Sequence, residues 1–340
     1  MIIFQKQPNR DFTILNISDP QLTNSDWNDG YQNRRILEYT IEELITRVKP
    51  DLITVSGDIS YPEQLHAYKM FADTIEKYNI PWAVVWGNHD QEVGGEYIKK
   101  FGGLEGLEWI EKVENLYATY PHFIYERGDL SLGRGNYVIA IQENEKIVEA
   151  LIMMDTHEEE PYINENGCEQ MTWSKLTKAQ IAWLQAQTQG LQAQGCKDAT
   201  LVIHIPIYAY RLASQAAYKE GVCHAELTLQ EAEGIECWNK GYEESIGVQH
   251  EPNGVCSYPV DDGVFTAIKQ DGLIRQVIAG HDHINNWIIR YDGVTMVYAL
   301  TTGAGCYWDP AISGGTVIKI NQDGVYKICH EYVDASHIWK

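Results

Sequence analysis

The chain has 340 residues, with 26 Lys and Arg against 48 Asp and Glu, a formal charge of −22. That balance excludes a protein that grips nucleic acid through a broad basic surface, and an apolar fraction of 44% excludes a disordered chain. A small anionic ligand stays compatible if bound cations reverse the sign at one place.

No apolar run approaches the roughly 18 residues of a membrane span, and the N-terminal segment lacks the charged, apolar and small-residue regions of a signal peptide. A cytoplasmic location is therefore expected. The seven cysteines include no C-x-x-C pair, which points to reduced thiols. Disulfides among Cys223, Cys237 and Cys256 are the alternative.

Phe12 to Ser18 alternates like a strand and ends at Asp19-Pro20-Gln21. Tyr31 to Lys49 spaces Ile36, Leu37, Ile41, Leu44, Ile45 and Val48 as a helix does, and Pro50 stops it. Asp51 to Ser56 is a short buried strand that opens onto Gly57-Asp58. Glu63 to Tyr78 predicts a second helix, and Trp82 to Trp86 a third strand opening onto Gly87-Asn88. The first ninety or so residues thus read β-α-β-α-β, and ligands of such open sheets sit beyond the carboxyl ends of the strands.

The middle is richer in strand signals: His122 to Glu126, Tyr137 to Gln142 and Val148 to Asp155. A helix follows at Lys178 to Gln194, then a buried strand at Ala199 to His204. From 205 to 262 the chain reads as an irregular insertion over a site, without a core of its own. Leu273 to Ala279 is a strand that opens onto Gly280-His281-Asp282-His283, and Asp292-Gly293 and Asp323-Gly324 mark hairpins. No domain linker interrupts the chain, so residues 1–340 are expected to form one domain.

Five strand ends therefore carry metal-type side chains: Asp19 and Gln21, Asp58, Asn88 to Asp90, His204, and His281 with His283. Carboxylates, imidazoles and an amide oxygen suit Mn, Fe or Zn. One shared carboxylate would hold two such ions roughly 3.5–4 Å apart. Gly57, Gly87 and Gly280 stand where the chain must turn sharply. G-N-H-D after a strand is the most specific of these signals, because Asn is an uncommon metal ligand.

The order D-x-[HQ], G-D, G-N-H-[DE], H, G-H-x-H resembles the calcineurin-like metallophosphoesterase superfamily, over residues 12 to about 305. Gly57-Asp58-Ile59-Ser60-Tyr61, the Trp173 region with the following helix, and Gly280 to Asn286 are similar to the single-domain purple-acid-phosphatase-like branch. The resemblance implies a four-layer αββα sandwich in the α/β class: two mixed β-sheets flanked by helices, with the metals at strand C-terminal ends. It implies Asp58 as the bridge between two ions, Asp19 and His283 on the first, and Asn88, His204 and His281 on the second. His89 would face the phosphoryl group and protonate the leaving oxygen.

The first motif has Gln21 where the superfamily usually has His, while Tyr61 stands where the purple enzymes have a tyrosine ligand. Both alternatives stay open, with Tyr61 slightly favoured as ligand and Gln21 as a neighbour or weak ligand. Asp155, at a strand end, and Tyr210, Tyr307 and Trp308, on loops after site-bearing strands, are candidates for substrate contact. The expected partner is a small phosphorylated substrate, with no broad nucleic-acid binding and no membrane; the oligomeric state stays open. The implied activity is phosphoric ester hydrolysis by metal-activated hydroxide, on monoesters first. Diesters or nucleotide pyrophosphates are the alternative, and a non-catalytic metal-binding protein the third reading.

Overall fold

The computed structural model describes residues 1–27, 32–92, 106–217, 245–249, 251 and 254–338. In chain order its strands and helices are β1 (Ile2–Gln5), β2 (Phe12–Ile17), α1 (Gln32–Val48), β3 (Leu52–Ser56), α2 (Leu65–Glu76), β4 (Trp82–Val85), α3 (Asn88–Gln91) and α4 (Gly106–Tyr117). There follow β5 (Tyr137–Glu143), β6 (Lys146–Met153), β7 (Glu159–Ile163), β8 (Glu169–Trp173), α5 (Lys178–Ala193), β9 (Ala199–Val202) and α6 (Ala209–Ala217). The last are α7 (Val264–Asp271), β10 (Ile274–Ala279), β11 (Ile288–Tyr291), β12 (Val294–Tyr298), β13 (Gly314–Asn321) and β14 (Gly324–Tyr332).

Two mixed sheets form the centre, a seven-stranded one ordered β1-β5-β6-β9-β10-β12-β11 and a five-stranded one ordered β14-β13-β2-β3-β4. Their inner faces meet through Ile14, Leu52 and Val85 on one side and Leu151, Val202 and Ile278 on the other. On the outer face of the seven-stranded sheet, α5, α6 and α7 pack through Leu184, Tyr210 and Ile268. On the outer face of the other sheet, α1, α2 and α4 pack through Ile41, Phe71 and Trp109. This is the four-layer αββα sandwich expected. Period-two alternation in the strands and helical spacing in α1 and α2 put one apolar face on each layer boundary.

The strands that matter to the site run the same way. β2, β3 and β4 are parallel neighbours in one sheet, and β6, β9 and β10 in the other. Their carboxyl ends therefore share one edge of the sandwich.

Four details differ from the sequence reading. His122–Glu126 is not a strand; Phe123 makes a single bridge to Trp82 at the edge of β4. The Phe123 side chain packs among the helix residues instead. The stretch from 205, expected to be irregular, contains α6, whose Ala209, Ala213 and Ala217 bury one face. The remaining part of that expected insertion, including 218–244, lies outside the described residues. The β7–β8 hairpin and the edge strand β1 carry mostly exposed or half-exposed residues, so no apolar alternation marks them. Among the described cysteines, Cys256 is a free thiol, and Cys223 and Cys237 lie outside the described residues. No helix among the described residues is long and apolar enough to cross a membrane.

Candidate metal centre

Each of the five strand ends delivers its side chain to that shared edge. Two groups result: Asp58, His204 and His281 offer ligand atoms within 4.8 Å of one another, and so do Asp19, Asp58 and His283. Asp58 belongs to both. All five residues are buried.

The local backbone is bent to achieve this. Asp19, Gln21, Asp58 and His281 all have left-handed φ, at 51°, 42°, 53° and 76°. Such values are uncommon for residues with a side chain and gather at functional sites. Gly87 brings its loop against the Asp58 loop so closely that a Cβ there would lie 2.1 Å from Asp58 Oδ1. Asp90 ties the same two loops together: its carboxylate accepts the N–H groups of Gly87, Ile59 and Ser60 and the hydroxyl of Tyr68.

The donor chemistry fits cations. His204 Nδ1 lies 2.7 Å from the carbonyl of Ser56, and His283 Nδ1 lies 3.0 Å from the carbonyl of Tyr307. A carbonyl only accepts, so in each ring Nδ1 carries a proton and Nε2 is turned to the centre, the usual arrangement of a metal-bound histidine. His204 Nε2 meets Asn88 Oδ1 at 3.0 Å and Asp58 Oδ2 at 3.3 Å. His283 Nε2 meets Asp19 Oδ1 at 3.4 Å, and that oxygen is buried without a hydrogen-bond partner. Lone pairs facing lone pairs, with a buried orphan carboxylate oxygen among them, call for positive charge.

The titration behaviour has the same cause. Burial opposes the charge on Asp58, but His204 and His89 outweigh it and hold its pKa below the usual carboxylate value. Burial likewise disfavours the His204 cation, yet Asp58 and Asp19 raise its pKa to about 10. A pocket that attracts a second proton this strongly attracts other cations too. His281 goes the opposite way, lowered by burial and then by His204, so it offers a free nitrogen.

His89 differs from the ligand set. Its backbone N–H donates to Asp58 Oδ1 at 2.9 Å. Its ring is 29% exposed, hydrogen-bonds Glu92 through Nδ1, and holds Nε2 4.0 Å from Asp58 Oδ2. Tyr61 and Gln21 form a chain: the Tyr61 hydroxyl donates to Gln21 Oε1 at 3.2 Å, and Gln21 Nε2 donates to Asp58 Oδ2 at 3.1 Å. Burial raises the Tyr61 pKa, with Cys306 and Asp58 adding to it.

A scan against family models matches residues 12–220 to the calcineurin-like phosphoesterase family. The chain belongs to that family. Among curated relatives of this calcineurin-like phosphoesterase is "Probable inactive purple acid phosphatase 14" of Arabidopsis thaliana. It is 24% identical over 88% of this chain and 70% of its own length. A second Arabidopsis relative, "Probable inactive purple acid phosphatase 29", is 23% identical over 78% of this chain and 63% of its own. "Phosphatase DCR2" of Saccharomyces cerevisiae is 24% identical over 89% of this chain, which spans 47% of that protein. A dimetal phosphatase structure from Danio rerio superposes with a TM-score of 0.53 at 12% identity, covering 94% of this chain and 98% of that one. The likeness is one of fold.

The four candidates for substrate contact fare differently. Asp155 is fully buried, and both its oxygens are engaged, by Gln91 and His157 on one and Arg134 on the other. Its carboxylate is thus closed off among protein donors. Tyr210 is not on a loop but in α6, buried in the outer core. Its hydroxyl donates to the Val277 carbonyl at 2.8 Å, so it is a packing residue. Tyr307 stacks on His283, with ring centres 4.3 Å apart, and is itself exposed. Trp308 packs against Ile36, Ala304 and Ala335. Sequence reasoning gave no site role to Trp173, whose ring sits edge-on to His281 at 4.4 Å, and it counted Asp90 among the metal-type side chains without seeing that it ties the two loops together.

Proposed function

We propose that this calcineurin-like phosphoesterase hydrolyses a small phosphorylated compound at a dinuclear centre, with phosphomonoesters as the first substrate class. Asp19, Asp58 and His283 would hold one ion and Asp58, Asn88, His204 and His281 the other, drawn from Fe, Mn and Zn by the mixed nitrogen and oxygen donors. Bound there, the ions supply Lewis acidity toward phosphoryl oxygens and activate water.

The observation that carries the reading is His89. It stands apart from the two ligand groups, is partly open to solvent, and has its ring oriented by Glu92. Holding a metal does not require it, whereas protonating a departing oxygen does. Asp58 fixes its position through the backbone N–H.

His89→Gln is expected to cut kcat on an aryl monoester about 10²- to 10⁴-fold, with metal content unchanged by elemental analysis. Near-wild-type turnover at full loading would remove the assignment. A second reading, diester or pyrophosphate hydrolysis, is favoured by Gln21, whose amide stands between Tyr61 and Asp58. Aryl monoester, aryl diester and nucleoside diphosphate-sugar substrates, tested side by side, separate the two. Loaded protein inert toward all three would instead support a binding role without catalysis.

A further inference from the structure

The end of the sandwich opposite the metal edge holds a second feature. β10 spans six residues between the two ends, about 20 Å at the rise of a strand. There the starts of β6, β9 and β10 and the β13–β14 turn border two adjoining cavities of about 590 and 670 Å³. Both are lined by Asp198, Arg275 and Asp323.

The charge in this trough runs against the rest of the molecule. Lys327 lines the first cavity, Lys146 and Lys197 line the second, and Arg275 lines both. All four are exposed, and none forms an ion pair with another described residue. Elsewhere on a chain of charge −22, many cations are matched. Arg10, Arg34, Arg47, Lys69 and Arg127 each hold a carboxylate.

The acids in the trough offset these cations only in part. Glu143 is committed to Lys6. Asp198 is buried and turns Oδ2 to the Val325 N–H at 3.1 Å. Asp323, on the turn, is the exposed one. The Arg275 charge acts on Asp198 without forming an ion pair, so cations are in excess here but not isolated. Such an excess concentrates anions, and a guanidinium shared by two cavities presents the fork that oxyanions fit. The exposed ring of Tyr326, with half-buried Val325 and Ile328, adds an apolar wall to the first cavity.

We infer that this trough binds a compact polyphosphorylated anion, at a site separate from the metal centre and centred on Arg275. Inorganic polyphosphate and a nucleoside polyphosphate share the required chemistry. The apolar wall favours the second.

The test is calorimetric titration of the full chain after metal removal, since bare Asp19 and Asp58 then repel anions from the metal centre. The probes are sodium tripolyphosphate and adenosine triphosphate, at low ionic strength because such binding is screened by salt. One-to-one binding is expected, weakened about tenfold or more by Arg275→Glu and less by Lys327→Glu. Lys178→Glu, the same charge change on an exposed residue outside the trough, is expected to leave affinity unchanged. Tighter binding of the nucleotide supports use of the apolar wall, and equal binding supports an inorganic occupant. No binding at millimolar probe, or equal losses in Arg275→Glu and Lys178→Glu, would overturn the site. The readout needs no turnover, so it stands whether or not the chain is a hydrolase.

Discussion

Asp58 belongs to both ligand groups, so its removal and that of Asp19 should not have the same effect. Asp58→Asn is expected to leave the dialysed protein with less than one ion per chain, and Asp19→Asn with about one. Elemental analysis reads both, and equal losses would show that Asp58 is not shared. At this scale the sequence was informative where a motif was dense. Gly87 to Asp90 announces itself, because few other uses explain Asn-His-Asp after a buried strand. His204 is legible only in company, since one histidine at a strand end has many uses. Asp155 misled for a physical reason: a carboxylate at a strand end looks alike whether it faces solvent or, as here, accepts from His157 next to it and from Gln91 and Arg134 on two other segments. The relation of Gln21 to Tyr61 was not readable, because it depends on how two loops meet.

The parallel strands place the ligands, but the loops between them aim the side chains. Gly87 shows how little room these loops leave. Its φ of −93° is ordinary, so replacing it costs space and not conformation. A Cβ would meet Asp58 Oδ1 at 2.1 Å and its backbone nitrogen at 2.4 Å. Gly87→Ala is therefore expected to lower metal affinity at least tenfold while the far-ultraviolet circular dichroism stays unchanged. Undiminished affinity in equilibrium dialysis would mean that the loops part freely. The same logic explains what the sequence could convey about elements. Strands β2, β3 and β4 are buried throughout or nearly so, and their apolar runs declare it. The β7–β8 hairpin exposes Ile163 and Met171, and although β7 alternates between exposed and half-buried positions it buries no apolar face, so nothing local reveals it. Phe123 and Ile124 have strand-like neighbours in sequence but meet only one bridge, since tertiary packing decides whether an apolar run is paired.

Across the whole molecule proton binding is strengthened at both ends of the sandwich, by the carboxylates around His204 at one and by burial of acids at the other. Far from the metals, Glu149 is fully buried, hydrogen-bonded to Thr200 on one oxygen and unpartnered on the other. Burial, then the neighbouring Asp198, raises its pKa well above the usual value, and burial raises Asp198 to about 6. Both carboxyls thus bind protons more tightly in the folded chain than in the unfolded one. The stability they contribute is complete below about pH 4 and falls as pH rises through about 6 and beyond. Glu149→Gln is expected to raise the melting temperature relative to wild type at pH 8, with the difference shrinking toward pH 4. Parallel melting curves across that range would show that the pair carries no proton on folding. Net charge, the first property the sequence offers, could not reveal this, because it says nothing of where an acid is buried.

The four left-handed residues at the metal edge have a further consequence. Asp19, Gln21, Asp58 and His281 hold conformations that each cost of order 1 kcal/mol, and two of them are buried acids. Until cations arrive, this edge works against the fold; afterwards, their binding energy becomes folding energy. Loaded and empty chains should therefore differ in lifetime under proteolysis, so that metal supply would set how much of the protein persists.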